Sequence, residues 1–338
     1  MGRNEYNDFA KKAESLVRPV DSTTISFFGS FLGYLPLPLQ RSMMNKGGAK
    51  TSYMGFIVDP YCFFLAYPVK DLTAAQAMLP EGYELADAAV FAGGEKRPLV
   101  IISAFTLRTS VFAGMRVECY LIARSKATGR VAWIITDYET NTLTNDPKNG
   151  FWGYSCEPAV FAVTAYGELL AQAENAENGN RYSIGADITG GSMRDLERDL
   201  WVEGNMAVDY GGVMAHESSK PFSLIFDPAL MKEAREIPLE AVRIAENSFM
   251  KGLIDGDKPC TAAVFPYTQH FVIRQDLEAD SVAHEKDLLD QVRVFMERKD
   301  FKRMEGSDIT KPLLRGMIAS SVLNACLIIA MVVKILFF

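Results

Sequence analysis

Hydrophobic residues in the middle of the chain form short runs that are continuously apolar or alternate with polar residues. Four of these runs are rich in β-branched and aromatic residues, which is typical of β-strands, and they lie at residues 62–67, 99–107, 116–124 and 131–137. The Ala-Thr-Gly segment at 127–129 predicts a hairpin turn between the last two. Because the runs do not alternate with helical segments, a doubly wound parallel sheet is not predicted.

Helical patterns in the body are fewer. Residues 71–78 predict a short helix, which the Pro-Glu-Gly turn at 80–82 ends. The Ser-x-x-Asp spacing at 192–195 is that of a capping box and predicts a short helix after it. Apolar residues at helical spacing predict a helix within 239–253, and a charged amphipathic helix is predicted at about 277–305.

The longest apolar stretch is at the C-terminus, where residues 316–338 contain only two strongly polar side chains, Asn324 and Lys334. A helix of this length is about 34 Å long, which is enough to cross a hydrocarbon core of about 30 Å. Basic residues precede the stretch, and they favour the cytoplasmic side for the N-terminal body. We therefore predict a single-pass, tail-anchored membrane protein, with the lipid bilayer as a partner.

A second apolar stretch, residues 25–39, is too short to cross a bilayer and is interrupted by Pro36 and Pro38. Two interpretations stay open for it. It lies in the membrane interface beside the anchor, or it packs on the body as an N-terminal arm. The polar residues 1–12 contain no secretory signal.

These patterns divide the chain into four parts. Residues 1–52 form the N-terminal arm, and residues 53–255 form a β-rich domain. Residues 256–315 form an extension that contains the amphipathic helix, and residues 316–338 form the transmembrane anchor.

Composition narrows the class of protein further. The chain has 338 residues, of which 49% are hydrophobic, so it contains enough apolar material for a folded core. With 35 basic and 42 acidic side chains its net charge is −7, which argues against nucleic acid as a partner. The five cysteines lack paired spacing and the three histidines are scattered, so neither a disulfide framework nor a metal site is predicted.

Several short motifs follow one another in an order that resembles the acetoacetate decarboxylase family. They are Leu-Pro-Glu at 79–81, Pro-Leu-Val at 98–100, DPKNGF at 146–151, LIFD at 224–227 and IPLEAV at 237–242. The resemblance covers about residues 53–254. It implies an α+β fold, with a mainly antiparallel β-cone or barrel and flanking helices around an apolar cavity.

The same resemblance implies a chemistry. The family uses a lysine amine that stays neutral near pH 7 and forms a Schiff base with a ketone. By position, Lys148 matches this lysine and Glu118 matches an active-site carboxylate. The implied activity is that of a decarboxylase-like lyase without a cofactor, acting on or binding an apolar, lipid-like keto compound.

Three positions differ from the family pattern. Asn149 follows the lysine where a second lysine is expected, Ser103 stands where a second carboxylate is expected, and an expected arginine falls near Asp59 and Pro60. A second hypothesis therefore stays open, in which the chain is a non-catalytic lipid- or pigment-binding protein or an accessory subunit of a membrane protein complex. A membrane-protein partner and a homo-oligomer both stay open as well.

The sequence also leaves alternatives for the two site residues. Lys148 lies in a polar turn, where a solvated lysine needs no catalytic role. Alternation along the predicted strand puts Glu118 and Tyr120 on one face and Val117 and Cys119 on the other. Whether the face of Glu118 points into the cavity or out to water stays open.

Overall fold

The computed structural model describes residues 1–40, 42, 53–142, 144–146, 150–152, 155–215, 221–274, 277, 281–299 and 305–337. The α-helices are α1 (Arg3–Glu14), α2 (Pro19–Leu32), α3 (Leu72–Ala77), α4 (Glu285–Glu297) and α5 (Gly306–Phe337). Short 3-10 or π turns lie at Asp199–Glu203, Gly204–Met206, Gly212–Met214, Pro228–Met231 and Leu239–Ala241.

The strands begin with β1 (Tyr53–Val58), β2 (Cys62–Pro68), β3 (Tyr83–Leu85), β4 (Asp87–Ala88), β5 (Arg97–Thr109), β6 (Ala113–Ser125), β7 (Val131–Thr140), β8 (Thr144–Asp146), β9 (Gly150–Trp152) and β10 (Ala159–Val163). They continue with β11 (Glu168–Glu174), β12 (Arg181–Asp187), β13 (Ser192–Asp195), β14 (Val208–Tyr210), β15 (Leu224–Ile225), β16 (Glu233–Ile237), β17 (Val242–Asn247), β18 (Thr261–Phe265) and β19 (Gln269–Arg274).

The strands predicted at 62–67, 99–107, 116–124 and 131–137 are confirmed as β2, β5, β6 and β7. The long strand β5 organises the large sheet. One of its edges pairs with β2 and then with β1, and its other edge pairs with β6. The sheet order runs β13-β16-β18-β2-β5-β1-β19-β15, while β6, β7 and β14 continue outward from β5. The long strand pairs are antiparallel, so the predicted mainly antiparallel α+β class is confirmed.

The predicted closed barrel is wrong, because the sheet is open along its described strands. Its path ends at β13 and β15, which do not pair with each other. The physical reason is that one edge of β5 pairs with both β2 and β1, so the sheet divides there into two branches, which end at β13 and at β15.

Both faces of the large sheet are covered. A four-stranded sheet in the order β10-β11-β12-β17 shares the apolar core on one face, and α1 and α4 contribute side chains to the core on the other. We call these the small-sheet face and the helical face. The side chains of β2 are buried on both, which explains why its sequence is continuously apolar instead of alternating.

Two helix predictions need correction. The capping-box spacing at 192–195 belongs to β13, which pairs with β16, and the helical turns after it begin only at Asp199. Within the segment predicted as a helix at 239–253, Val242–Asn247 form β17, which pairs with β12. In both places strand pairing between distant segments overrides a local helical pattern. The amphipathic helix predicted at about 277–305 is also shorter, since α4 covers Glu285–Glu297. The short helix predicted at 71–78 is confirmed as α3, whose N-cap Asp71 accepts a hydrogen bond from the Ala74 amide at 2.9 Å.

The N-terminal arm is helical and partly packed on the body. Gly55 of β1 lies so close to the end of α1 that a Cβ atom there would come within 2.8 Å of the Val17 side chain. At the other terminus, one helix of the described residues is long and apolar enough to cross a membrane. It covers Gly306–Leu336, with a mean hydropathy of 2.2 and no burial of its apolar segment.

Aromatic packing on the helical face allows a test of the core. Phe64 is fully buried, and its ring lies 4.8 Å from the Trp201 ring and 5.6 Å from the Phe265 ring. We expect Phe64→Ala to lower the free energy of unfolding by about 3–5 kcal/mol, because it leaves a cavity and removes ring contacts. Chemical denaturation measures this, with the exposed Tyr166→Ala as the control. A loss below about 1 kcal/mol would contradict the packing described.

Candidate active site around Glu118

Glu118 lies in the middle of β6 and is only 4% exposed, so its side chain is buried and does not point out to water. It faces the helical side with Tyr120 and Ile122, while Val117 and Cys119 face the small sheet, as alternation predicts. The other predicted site residue, Lys148, lies outside the described residues, as does Asn149. The strands on either side of them, β8 and β9, pair as a two-stranded hairpin.

The register of the sheet decides which side chains surround Glu118. Glu118 stands opposite Ser103 of β5 and opposite Tyr138 of β7. Directly opposed residues of antiparallel strands share a face, so Ser103 and Tyr138 lie beside the carboxylate. The position that the family resemblance assigns to a second carboxylate is therefore a direct neighbour of Glu118.

The carboxylate of Glu118 is compensated by two residues of its own strand. The Arg116 guanidinium donates from Nη1 to Glu118 Oε1 at 2.8 Å, and the two side chains are 13% and 6% exposed. The Tyr120 hydroxyl donates to the other oxygen, Oε2. A buried carboxylate is tolerated only when it is paired and hydrogen-bonded, and here each oxygen has a donor.

Aromatic rings hold the Arg116 guanidinium in place. Its Cζ atom lies 5.0 Å from the centre of the Phe112 ring and 4.7 Å from the centre of the Tyr138 ring, which are favourable cation–π distances. The Nε atom of Arg116 is buried and, among the described residues, has no hydrogen-bond partner. The cation therefore keeps one buried donor that is not used by Glu118.

The protonation states follow from burial and from the charge of Glu118. Burial raises the pKa of Tyr120 well above its usual value, and the neighbouring carboxylate raises it further. The pKa values of Tyr210 and Cys62 are raised by the same two causes. Burial alone would lower the pKa of Arg116, but the charge and hydrogen bond of Glu118 together with Tyr138 and Tyr210 outweigh it, and the pKa is raised. The salt bridge between Arg116 and Glu118 is thus surrounded by hydroxyl and thiol groups that keep their protons at neutral pH.

Sequence reasoning found Glu118 but not its partners. A signal existed for two of them, because the spacing Arg-x-Glu-x-Tyr at 116–120 puts all three side chains on one face of a strand. No comparable signal existed for Tyr138 or Tyr210. Their proximity depends on the pairing of β7 with β6 and with β14, which local patterns do not encode.

A second buried carboxylate, Glu139, lies on the small-sheet face. Three asparagine side chains from the turn between β11 and β12 donate to it, Asn175 at 2.8 Å, Asn178 at 2.6 Å and Asn180 at 2.9 Å. Their amide oxygens are turned away from it, since those of Asn175 and Asn178 accept backbone hydrogen bonds within the turn. The arrangement binds a carboxylate with amide donors, and it anchors the turn to β7.

Asp137 lies two residues before Glu139 on the same face. Burial, together with the charge of Glu139, raises the pKa of Asp137 to about 6. The Asn180 side chain also donates to Asp137, at 3.3 Å. Asp137 is therefore the carboxyl group of this cluster that changes charge just below neutral pH.

His270 lies on β19 and links α1 to the sheet. Its Nε2 atom is 3.1 Å from Glu14 Oε1, and its Nδ1 atom is 3.1 Å from the Tyr6 hydroxyl. Burial lowers the pKa of His270, so the ring is neutral at pH 7. Tyr6 and His270 also line a cavity of about 420 Å³. In the described part of the chain no group of three or more His, Cys, Asp or Glu side chains is arranged to hold a metal ion.

Comparisons with known proteins add a partial similarity in fold. No protein-family model matches the chain, and no curated protein matches it. Among solved structures, an acetoacetate decarboxylase from Legionella pneumophila is similar with a TM-score of 0.42 and 13% identity, over 65% of this chain and 84% of that one. A second acetoacetate decarboxylase structure gives a TM-score of 0.36 and 8% identity, over 65% of this chain and 91% of the other.

The ion pair predicts a non-additive response to substitution. Arg116→Met should lower the free energy of unfolding by about 3–5 kcal/mol, because it leaves the Glu118 carboxylate buried without a counter-charge. The double variant Arg116→Met/Glu118→Gln should recover most of that loss, since no charge then remains to be compensated. Chemical denaturation of the single and double variants measures both values.

A surface ion pair provides the matched control. Lys70 and Asp255 are 2.7 Å apart and both are exposed, so Lys70→Met should cost far less than Arg116→Met. Equal losses for Arg116→Met and Lys70→Met, or no recovery in the double variant, would contradict a buried and coupled pair.

The raised pKa of Asp137 predicts a pH dependence with a definite sign. Between about pH 4 and pH 6 the folded state holds a proton on Asp137 that the unfolded state has lost, so this group destabilises the fold as the pH rises through that window. Asp137→Asn should therefore raise the free energy of unfolding by about 1–2 kcal/mol at pH 7.5 and leave it nearly unchanged at pH 4.

Denaturation curves at the two pH values check this sign, and the exposed Asp87→Asn serves as the control. An equal gain in the free energy of unfolding at both pH values, or a loss at pH 7.5, would show that the charge on Asp137 does not destabilise the folded state.

Proposed function

We propose that this chain is a membrane-tethered, acetoacetate decarboxylase-like protein that binds an apolar keto compound and acts on it through a Schiff base on Lys148. The observation that supports the proposal most is the burial of Glu118 with Arg116 and Tyr120 on one face of the central sheet. A buried carboxylate with fixed hydrogen-bond partners is able to serve in proton transfer to a bound ligand.

The proposed reaction begins when the neutral amine of Lys148 attacks the keto carbon and water leaves, which gives an iminium. The bond between the α-carbon and the carboxylate carbon then breaks. Carbon dioxide leaves, and the electron pair moves into the iminium to form an enamine. Protonation of the enamine carbon and addition of water release the ketone and return the amine. In this proposal Glu118 serves as the acid and base of the proton transfers.

Arg116 supports the same proposal by supplying a positive charge. A β-keto acid carries a carboxylate, which Glu118 alone would repel. The Arg116 guanidinium lies 2.8 Å from Glu118 and has a buried Nε donor that the described residues leave unused. Guanidinium groups hold carboxylates well, so Arg116 takes the role of the cation that the family pattern places elsewhere.

The location belongs to the proposal as well. We place α5 across a membrane, with the N-terminal body on the cytoplasmic side, because basic residues precede the apolar segment. A tether of this kind is useful when the ligand itself dissolves in the bilayer, as an apolar keto compound does.

Borohydride trapping tests the Schiff base. The full chain in detergent is incubated with acetoacetate or with a long-chain methyl ketone and is then reduced with sodium borohydride. We expect a covalent mass increase on the peptide that contains Lys148, because borohydride reduces the iminium to a stable amine. Intact-mass measurement followed by peptide mapping detects it.

Three variants make the test specific. Lys148→Ala should abolish the adduct, and the exposed Lys126→Ala should leave it unchanged. Glu118→Gln should slow adduct formation by about a hundredfold if it acts in proton transfer. An adduct that survives in Lys148→Ala, or no adduct with any ketone, would refute the enzyme proposal.

A second candidate function rests on one specific observation. Both oxygens of Glu118 are already hydrogen-bonded by protein side chains, so the carboxylate is satisfied without a substrate. This favours a non-catalytic protein that binds a lipid or pigment, or that serves as an accessory subunit of a membrane complex. Native mass spectrometry after mild detergent extraction distinguishes the two, because a stoichiometric membrane-protein partner favours the accessory role.

A further inference from the structure

We propose that α2 docks on the bilayer surface through an aromatic face, and that this face holds the body against the membrane beside α5. The docking face consists of Phe27 and Phe31 of α2 together with Tyr34 in the turn that follows. The proposal rests on the membrane anchor of the proposed function and names the surface through which the body itself contacts lipid.

The helix α2 has two apolar faces, and only one of them is covered. Ile25 and Leu32 are buried on the covered face, with Phe28 and Leu35 packed beside them. Val20, Phe27 and Phe31 recur at intervals of seven and four residues, which places them together on a neighbouring face of the helix. These three side chains are exposed.

The exposure is large for such side chains. Phe27 is 61% exposed, Phe31 is 53% exposed and Tyr34 is 88% exposed. The Phe27 and Phe31 rings are in edge contact, with centroids 5.6 Å apart, so they form one continuous apolar patch. A contiguous aromatic patch is unusual on the solvent-facing surface of a protein, and such a patch marks a site of contact with a partner.

The position of the patch identifies that partner as a bilayer. Asp21 of α2 accepts a hydrogen bond from the Gly306 amide at 3.0 Å, and a Cβ atom on Gly306 would come within 2.7 Å of Thr24. Two turns further along α5, Leu313 packs on the cluster formed by Ile25 and Leu32. The two helices therefore run side by side in the same direction from this contact.

This arrangement sets the level of the patch relative to the membrane. The seven residues from Thr24 to Phe31 advance α2 by about 10 Å, and the ten residues from Gly306 to Gly316 advance α5 by about 15 Å. The aromatic end of α2 thus lies near the level where the apolar part of α5 begins. Lys311 and Arg315 precede that level on α5, where cations meet lipid headgroups. Aromatic side chains are favoured in the same interfacial layer.

Docking of α2 has a consequence for the proposed active site. The strand β9, which follows Lys148 in sequence, contacts α2. Val111, at the turn between β5 and β6, packs on the same cluster as Leu313. The docking face therefore brings this end of the sheet to the bilayer, so that an apolar keto compound dissolved in lipid reaches it without crossing water.

Spin-label accessibility in vesicles tests the proposal with the full chain. The exposed cysteines are replaced (Cys260→Ser and Cys326→Ser), and a nitroxide is attached in turn to Phe31→Cys, Tyr34→Cys, Leu327→Cys and Tyr166→Cys. Each protein is reconstituted in vesicles of phosphatidylcholine and phosphatidylglycerol. Power saturation then compares collision with oxygen, which concentrates in lipid, against collision with a water-soluble nickel chelate.

We expect the oxygen-to-nickel collision ratio at Phe31 and Tyr34 to exceed that at Tyr166 by about threefold or more, because the aromatic end of α2 reaches the interfacial layer, where aromatic side chains are favoured. Tyr166 is 91% exposed on a turn of the body and serves as the aqueous reference. Leu327 lies in the middle of α5 and reports separately whether the anchor is inserted.

The outcomes separate this proposal from the anchor on which it rests. A lipid signal at Leu327 with an aqueous signal at Phe31 and Tyr34 overturns the docking face and leaves the anchor intact. Low collision with both reagents at Phe31 and Tyr34 indicates a protein partner and overturns the bilayer as the occupant. An aqueous signal at Leu327 overturns the anchor and the docking face together.

Discussion

A carboxylate in the middle of an apolar sheet is the constraint on which the site depends. Glu118 is stable there only because Arg116 and Tyr120 occupy its oxygens from the same strand. All three must point to one face, and a shift of one residue in the pairing of β6 would turn them to the other. The register of β5, β6 and β7 is thus tied to the electrostatics of a single ion pair.

The sequence predicts the central strands well, because their apolar runs agree with their final environment. The continuous run at 62–67 becomes a strand covered on both faces, and the alternating run at 116–124 separates Glu118 from Cys119. The helix predicted at 239–253 fails for the opposite reason. Its helical spacing is a local pattern, and the pairing of β17 with β12 overrides it.

The sequence predicts only those residues of the candidate site that lie on the same strand as Glu118. Glu118 is found from the family resemblance. The alternation of faces along a strand then predicts that Arg116 and Tyr120, two residues away on either side, share its face. Ser103 and Tyr138 become its neighbours through pairing with β5 and β7, which depends on the whole sheet. The branching of the sheet at β5 is of the same kind, since it arises from contacts between segments far apart in sequence.

The ladder between β6 and β7 contains one extra residue, because Cys119 is opposite Asp137 while Tyr120 is opposite Ile135. Thr136 occupies the bulge and donates to the Cys119 carbonyl oxygen at 3.1 Å. If the same residues continued in regular alternation without a bulge, Glu139 would turn to the helical side, where Glu118 lies. A single bulge thus keeps the carboxylates of Glu118 and Glu139 on opposite sides of the sheet. Each carboxylate is then stabilised by its own hydrogen-bond donors.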